Sequence, residues 1–369
     1  MVAATTFVFA TSLTLTSSAF AGQSVLPSKD QLGIVGTQAD LQPVTNFCGT
    51  KPIKVALADG FGGNSWRKIT RAAFENEAKK CKNITKIIYT DANNDSAKAI
   101  SDMNSLIAQR VNVIVTFVDS GPALLPTIKK ATAAGIAVVP YVAGPGGTSG
   151  VDYADQVGED IVTYGTNLAN WTIKAMGGKG NLLMLGGTAG NGYSQGVYNG
   201  VVAAVKAHPG VTLLNADGFE ATNWEPGMTQ QVVAGDITKY GQIDGIVSDY
   251  GGGSVGGIRA FIAANKPVPV WSANDSNEFA CDWYKYHPTQ STFQIATESS
   301  RNWISAAALH RGLAAYNHIK NMEPSTFNLQ IIEDSTDPKM MPKCDKTLPP
   351  DAILSAGLSA AQLHKLFGK

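Results

Sequence analysis

The fold is decided by one stretch of sequence, IKVALADGFGGNSWRKITRAAFENEAKK, which occupies residues 53–80. The stretch opens with the apolar residues Ile53, Val55, Leu57 and Ala58, a short run of the kind found in buried strands. Residues 59–63 break this run with three glycines, which favour tight turns. Asn64 or Ser65 can cap a helix, because a short side-chain oxygen accepts hydrogen bonds from the amides of a first turn. Apolar residues then recur on one helical face, so the stretch predicts a strand, a glycine-rich loop and an amphipathic helix.

A loop between a strand and a helix N-terminus is the usual ligand position in an open parallel sheet. This loop carries Asn64 and Trp66. An amide can hydrogen-bond a hydroxyl in two directions and an indole offers a flat apolar face, so the pair suits a small polyhydroxylated ligand. The alternative interpretation is that Trp66 belongs to the helix core and Asn64 is only a cap.

The length of the chain predicts its number of domains, and its charge argues against some classes of partner. A chain of 369 residues is too long for one ordinary core, which predicts two domains. Its formal net charge is zero and only 16% of its residues are charged, so nothing suggests nucleic acid as a partner.

The N-terminal residues resemble an export signal. They are apolar, rich in small hydroxyl residues and end in Ala19-Phe20-Ala21, which predicts a signal peptide over 1–21, cleaved after Ala21, and an exported protein. The basic segment of such signals is missing, so either the true start lies upstream or the signal is atypical. Residues 22–50 carry little pattern and are interpreted as an irregular leader.

The chain contains four cysteines, Cys48, Cys81, Cys281 and Cys344, and none forms a CxxC pair. Zinc and redox motifs therefore find no support. An even number of cysteines in an exported chain predicts two disulfides. Three pairings are possible, and order along the chain favours Cys48–Cys81 with Cys281–Cys344; four unpaired buried thiols are the alternative.

Strands alternate with helices along most of the chain, which favours βαβ units and parallel sheets. The glycine-rich segment 143–150 interrupts this pattern, and the pattern then restarts. Two similar α/β lobes would enclose a cleft, which is a preferred ligand position. The sequence further predicts a long helix over 302–320, a strand over 327–332 and a short helix over 360–367 within a C-terminal tail.

Motifs of common enzymes are missing. The loop that begins at Gly60 fails the GxGxxG fingerprint, because Ser65 stands where the third glycine must lie. No GxxxxGK[ST] loop and no GxSxG elbow occurs, and the five histidines are scattered. We therefore expect no catalytic residues, no cofactor and no metal, although a two-domain enzyme stays as a rival hypothesis.

Polar and aromatic side chains gather where the predicted strands end. Flat rings stack on sugar faces, and amides and carboxylates bind hydroxyls, so such a set is typical of carbohydrate sites. Trp66, Trp224 and Asn274 are the strongest candidates, whereas a role in a cap or turn explains Asp91, Asp119 and Ser120 better than a ligand contact does. The full set is Asn64, Trp66, Asp91, Asp119, Ser120, Tyr141, Asn191, Tyr193, Gln195, Asn223, Trp224, Asp249, Tyr250, Asn274, Asp275, Thr297 and Glu298.

Five segments of the chain together point to a known family. They are GNSWRKITRAAFENEA, DANNDSAKAISDMNSLIAQRVNVIVTFVDSGPALLPTIKKATAAGIAVVPY, VGEDIVTYGTNLANW, GGTAGNGYSQGVYNGVVAAV and GIVSDYGGGSVGGIRAF. Their ordered series resembles the type I periplasmic substrate-binding proteins of ABC importers, in their ribose-binding-like sugar branch. The resemblance covers roughly residues 51–332.

The resemblance implies two Rossmann-like lobes with parallel sheets, joined by a hinge of three crossing strands. The crossings would fall near residues 156–158, 297 and 332. The predicted divisions are an N-terminal lobe of 51–156 plus 298–326, a C-terminal lobe of 157–297 plus 327–345, and a tail of 346–369.

Matched position by position, the resemblance also implies a ligand set. It consists of Asn64, Trp66, Tyr141, Gln195, Trp224, Tyr250, Asn274, Asp275, Thr297 and Glu298. Trp66 and Trp224 would hold the two faces of a ring. Two departures from the family matter: Val142-Ala143 replaces an Asp-Arg pair after Tyr141, and Gln195 replaces an arginine. The predicted pocket is thus less charged and more aromatic than in the ribose-binding type, which puts ribose itself in doubt.

The sequence therefore predicts a monomeric, non-enzymatic binding protein that captures a small sugar or polyol and delivers it to a membrane permease of an ABC transporter. An amino acid or an aromatic compound stays open as the ligand. A chemosensory receptor stays open as the partner.

Overall fold

The computed structural model describes Met1 and residues 24–368. The predicted signal peptide and its cleavage position after Ala21 lie outside the described residues. No helix in the described part of the chain is long and apolar enough to cross a membrane.

Strands and helices alternate as the sequence predicts. The strands are β1 Val35–Gly36, β2 Ile53–Asp59, β3 Ile84–Asp91, β4 Val113–Thr116, β5 Ala137–Pro140, β6 Gly158–Glu159, β7 Gly180–Gly186, β8 Val211–Leu213, β9 Glu220–Ala221, β10 Gly245–Ser248, β11 Val270–Asn274, β12 Ile295–Glu298, β13 Thr326–Phe327 and β14 Ile331–Asp334. The α-helices are α1 Ser65–Ala78, α2 Ser96–Ala108, α3 Leu125–Ala133, α4 Ile161–Ala175, α5 Gly192–Ala207, α6 Pro226–Tyr240, α7 Gly251–Ala263, α8 Asn277–Tyr286, α9 Ile304–Asn317 and α10 Ala360–Phe367.

The first sheet has four parallel strands in the order β3-β2-β4-β5. Val55 of β2 lies opposite Ile87 of β3 and Val113 of β4. All four residues of β4 and of β5 are buried. Continuous burial is expected where helices cover both faces of a parallel sheet, and it explains why these strands are apolar apart from Thr116 of β4.

The second sheet follows the order β14-β12-β11-β10-β7-β8, with β9 beside β7. Its strands are parallel except for β14, which runs antiparallel to β12. The chain reaches this sheet after β6 and returns to the first sheet after β12, where α9 packs on β4, β5 and α1. It comes back to the second sheet between β13, which pairs with β1 and β6, and β14. The single strand predicted over 327–332 is therefore wrong, because the chain moves between two sheets there.

Helix α8 was not predicted from the sequence. It is only ten residues long and buries Phe279, Ala280 and Trp283 on one face. A short apolar spacing of this kind is easily taken for a loop. The helix matters because it carries Cys281, which is bonded to Cys344.

Both predicted disulfides are present. Cys48 is bonded to Cys81 and ties the approach to β2 to the end of α1. Cys281–Cys344 ties α8 to the C-terminal segment, which we define as residues 340–368. The described part of the chain contains no free cysteine.

The C-terminal segment packs on the rest of the protein, and its helix α10 occupies the predicted residues 360–367. Leu348, Ala352 and Ile353 are buried, and α10 contacts α1. Ser65 at the start of α1 donates a hydrogen bond of 2.5 Å to Asp351. The segment therefore contacts elements that belong with both sheets, since α8 follows β11 and α1 follows β2.

Candidate ligand-binding site

A cleft lies between the carboxyl ends of the two parallel sheets, and its lining leaves about 50 Å³ of free space. This free space is smaller than the roughly 300 to 1,000 Å³ that small-molecule sites typically span. Each lining residue follows a strand or begins a helix. They are Asn64, Trp66, Arg67, Phe117, Val142, Tyr193, Trp224, Asp249, Tyr250, Asn274 and Arg301.

The first wall is built around the start of α1. Asn64 caps this helix, because its Oδ1 accepts a hydrogen bond of 2.9 Å from the amide of Arg67. The indole Nε1 of Trp66 donates 2.8 Å to the carbonyl oxygen of Ser300. The Trp66 ring meets Phe117 edge-on, with 5.8 Å between ring centroids. Asn64 is therefore a cap and Trp66 is packed, as the alternative interpretation expects, and both residues also line the cleft.

Arg67 forms a charged clamp behind this wall. Its guanidinium lies 3.0 Å from Asp59 and 2.9 Å from Asp119, and only 4% of the side chain is exposed. It also covers the Phe117 ring at 3.6 Å from the centroid. Burial raises the pKa of Asp119 to about 6, although Arg67 opposes the shift. Arg67 is therefore fully engaged by its two carboxylates.

The second wall is built around Trp224. Its backbone has φ of 57°, which is uncommon for a residue other than glycine. The indole Nε1 donates 3.0 Å to Asp249, and the Ser194 hydroxyl donates 2.5 Å to the other oxygen of that carboxylate. Gly187 lies beneath the ring, where an added Cβ would come within 2.0 Å of Trp224. The ring is thus held in one orientation by a buried carboxylate and a glycine.

The carboxylate of Asp249 is itself buried, with 3% of the residue exposed. Burial raises its pKa to about 6, and hydrogen bonds from Ser194 and Trp224 partly oppose that shift. Asn274 supports the neighbouring backbone, because its Oδ1 accepts 2.6 Å from the amide of Gly251 and its Nδ2 donates 3.2 Å to the carbonyl oxygen of Asp249.

Arg301 is the second guanidinium of the cleft. It follows β12 and has φ of 49°. Its Nε lies 2.5 Å from Glu159 of β6, and its Nη2 contacts the Tyr193 hydroxyl. The rings of Tyr193 and Tyr164 lie 4.8 Å and 5.2 Å from the guanidinium carbon.

Residues 55–292 match the family model of the periplasmic binding protein domain. The chain belongs to the periplasmic binding protein family. As the resemblance implied, its α/β fold with parallel sheets is that of the type I members, and this periplasmic binding protein is not an enzyme.

Individual relatives are distant. A xylitol-binding protein from Mycolicibacterium smegmatis is 28% identical over 193 residues, which cover 52% of this chain and 53% of that protein. The match thus spans about half the length of the curated relative.

Solved structures agree in fold. A solute binding protein from Thermobispora bispora has a TM-score of 0.68 at 22% identity and covers 85% of this chain and 94% of its own. A myo-inositol binding protein from Caulobacter, solved with myo-inositol, has a TM-score of 0.66 at 20% identity, covering 76% and 93%. An ABC transporter solute binding protein from Actinobacillus succinogenes, solved with D-allose, has a TM-score of 0.65 at 22% identity, and the match covers 76% of this chain and 97% of that protein.

The cleft brings together five of the ten residues that the sequence singled out as ligand contacts, Asn64, Trp66, Trp224, Tyr250 and Asn274. The other five do not line it. Tyr141 is fully buried behind Phe117, whose ring it meets edge-on at 5.4 Å. Gln195 is exposed on α5 and donates to Asn199.

The remaining three residues are buried around the second sheet. Asp275 accepts hydrogen bonds from the amide of Ser300 at 2.7 Å and from Ser355 of the C-terminal segment at 2.7 Å. Thr297 donates 2.7 Å to Glu333, and Glu298 is fully buried at the end of β12. These residues support the cleft from behind.

Four lining residues were missed by the sequence analysis: Arg67, Phe117, Val142 and Arg301. The sequence did hold a signal for Arg67. Arg67 is a charged residue among the residues that α1 buries, next to Trp66 and one turn before Thr70. Nothing in the local sequence marked Arg301. Two guanidiniums in the lining make the cleft more charged than the sequence predicted. Among the described residues, no group of three or more acidic, histidine or cysteine side chains could hold a metal ion.

Proposed function

We propose that this protein captures a neutral small sugar or polyol in the cleft between the two sheets. The observation that carries the proposal is the lining itself, in which aromatic rings alternate with buried hydrogen-bonding groups from both sheets. Rings stack on the apolar faces of a sugar, and fixed amide, carboxylate and guanidinium groups bind its hydroxyls. The xylitol-binding relative and the structures solved with myo-inositol and D-allose support this ligand class.

The charges favour a neutral ligand. Arg67 is neutralised by Asp59 and Asp119, and Arg301 is paired with Glu159. Asp249 adds a further carboxylate to the lining. An anionic ligand would find no cation in excess there, and a hydroxyl group can both donate to Asp249 and accept from a guanidinium.

In the proposed complex, Trp224 covers one side of the ligand, and Trp66 with Phe117 covers the other. Asn64, Tyr250 and Asn274 complete the contacts that the sequence indicated. The two lobes, 51–156 plus 298–326 and 157–297 plus 327–345, would close on the ligand by a hinge motion. Binding then shifts the protein from open to closed populations.

We further propose that the protein is exported to the periplasm, acts as a monomer and delivers its ligand to the permease of an ABC transporter. Membership of the periplasmic binding protein family supports this role. Deletion of the coding sequence should abolish uptake of the bound sugar or polyol. Loss of chemotaxis with normal uptake would instead identify a sensory partner.

A thermal-shift screen of the chain from Gly22 onward tests the ligand class. The panel holds xylitol, myo-inositol, D-allose, D-ribose, amino acids, small aromatic acids and NAD. A ligand at a hundred times its Kd stabilises the fold by about 2.7 kcal/mol, a shift of a few degrees or less for this size. A shift with a sugar or polyol is the expected result. Shifts with amino acids or aromatic acids alone would contradict the proposed ligand class, and a shift with NAD would contradict the transport role.

A further inference from the structure

We propose that Arg301 is a specificity-determining residue, whose Nη1 donates a hydrogen bond to a hydroxyl oxygen of the bound polyol. This inference rests on the proposed function and names the group that reads the ligand. Arg301 lines the cleft, yet only 3% of it is exposed. Within the described part of the chain, neither Nε nor Nη1 forms a hydrogen bond, and of the two only Nε is placed in an ion pair, 2.5 Å from Glu159.

The other sides of this guanidinium are occupied. Nε faces Glu159 at 2.5 Å, and Nη2 contacts the hydroxyl of Tyr193. The rings of Tyr164 and Tyr193 pack against its plane. The group is therefore fixed in orientation before any ligand arrives, and Nη1 is the donor that is left for one.

An unpaired donor on a buried charge is costly, so native proteins rarely keep one without a reason. The backbone adds a second cost, because φ of 49° lies in the left-handed region that side chains other than glycine seldom adopt. Strain and unmet hydrogen bonds of this kind concentrate at binding sites, where a ligand completes the pairing.

Arg67 provides the contrast within the same cleft. Its Nη1 donates to Asp59 and its Nη2 donates to Asp119, so both of its terminal nitrogens have protein partners. Arg67 is thus a structural clamp, whereas Arg301 retains a free donor. Sequence comparison with the ribose-binding type placed the binding arginine at Gln195, and Arg301 supplies a guanidinium from a different element.

Glu159 acts as a positioning residue. It lies on β6 in the sheet that joins β13 and β1, and 8% of it is exposed. Its carboxylate holds Nε and neutralises the guanidinium, so a neutral hydroxyl oxygen suits Nη1 better than a second carboxylate does. We therefore expect a polyol to bind more tightly than the sugar acid of the same skeleton.

Isothermal titration calorimetry with xylitol, myo-inositol and D-allose tests the inference. Arg301→Lys keeps a cation beside Glu159 but loses the fork of the guanidinium. Its Kd for the polyol that binds the natural protein should rise roughly 10- to 100-fold, the range for one hydrogen bond to a charged group. Arg259→Lys is the matched control, because Arg259 lies exposed on α7 and pairs with Glu278. Its Kd should stay within twofold.

A second measurement distinguishes a direct contact between Arg301 and the ligand from a purely structural role of Arg301. If xylitol binds, its monodeoxy analogues are titrated against both proteins; if myo-inositol or D-allose binds, the deoxy forms of that probe replace them. In the natural protein, one deoxy analogue should bind more weakly than its parent probe. In Arg301→Lys, the same analogue should bind almost as tightly as the parent probe, because the removed hydroxyl is the one that Nη1 contacts. A purely structural role would lower all affinities equally and leave their ratios unchanged.

Three results would overturn the inference. The first is an unchanged Kd in Arg301→Lys, and the second is unchanged affinity ratios across the deoxy series. The third is tighter binding of D-xylonate than of xylitol. Should Arg301→Lys fail to fold, the double variant Glu159→Gln/Arg301→Gln removes both charges and must show the same loss of discrimination. A natural protein that binds none of the three probes would overturn the proposed function itself, and this inference with it.

Discussion

The indole nitrogen of Trp224 lies 3.0 Å from a carboxylate oxygen of Asp249, and only 3% of Asp249 is exposed. The two residues come from different loops of the second sheet, one after β9 and one after β10. A buried carboxylate that accepts from an indole fixes the ring and also remains available to a ligand, because each oxygen can accept a second hydrogen bond. The pair therefore forms a wall of the cleft and keeps acceptor capacity on that wall.

Replacing Trp224 by alanine should weaken polyol binding at least tenfold. The substitution removes the flat surface and leaves Asp249 without one donor. Trp224→Phe keeps a ring and should cost less. Calorimetric Kd values of both variants measure the effect, with Trp171→Phe on α4 as the control. Equal affinities in Trp224→Ala and the natural protein would show that this ring does not contact the ligand.

Polyol affinity should fall below about pH 6. The pKa of Asp249 is raised to about 6 by burial, so this group is an acceptor at pH 7.5 and is protonated at pH 5. Protonation removes acceptor capacity towards a ligand hydroxyl. Titrations at pH 5 and 7.5 check this, and Asp249→Asn should bind weakly at both values. A pH dependence that survives in Asp249→Asn would assign the effect to another group.

Glu298→Gln should stabilise the protein at alkaline pH. Burial raises the pKa of Glu298 to about 8, and Asn167 and Arg301 oppose the shift only in part. A raised folded pKa gives stability that is present below the unfolded value near pH 4.5 and lost as the pH rises towards 8. The gain in unfolding free energy, measured by urea unfolding, should therefore be about 3 to 4 kcal/mol larger at pH 8 than at pH 5.

The control for that comparison is Glu225→Gln, because the side chain of Glu225 is exposed before α6. Its unfolding free energy should change equally at the two pH values. If Glu298→Gln behaves in the same way, Glu298 is not protonated in the folded protein near neutral pH.

Removing the disulfide between Cys281 and Cys344 should release the C-terminal segment. The bond closes a loop of 63 residues, and its loss should lower the unfolding free energy by about 2 to 4 kcal/mol. Amide hydrogen exchange of Cys281→Ser/Cys344→Ser should show faster exchange in α10. Cys48→Ser/Cys81→Ser is the matched comparison, since it also loses a disulfide but should leave α10 protected. Unchanged exchange in both variants would mean that packing alone holds the segment.

Sequence patterns predicted the sheets and most helices because their signals are local. The strand, glycine loop and helix of residues 53–80 appear as β2 and α1, and the restart after residue 150 became the second sheet. The short helix expected near residues 360–367 is present, and in the structure Ser359 caps it with a capping box. The predicted strand over 327–332 failed, because a change of sheet leaves no periodic signal.

The candidate site was predicted only in part for a related reason. Trp66 and Trp224 could be found because an aromatic residue beside a polar loop is visible in the sequence. Arg301 could not, because its role depends on Glu159, which lies 142 positions earlier and meets it only in the fold. Tyr141 and Asp275 do follow strands as expected, yet neighbouring side chains separate them from the cleft.

The C-terminal segment, which supports the cleft, is translated after all the residues that line the cleft. Arg301 is the last residue of the lining, so a chain translated as far as residue 339 carries every group that faces the ligand. It still lacks Ser355, which covers Asp275, and Asp351, which receives the Ser65 hydroxyl. A premature stop codon before residue 344 would therefore yield a chain with a full set of cleft residues on an unsupported frame. Such a chain would also expose Cys281 as a reactive thiol, open to cross-linking with another copy.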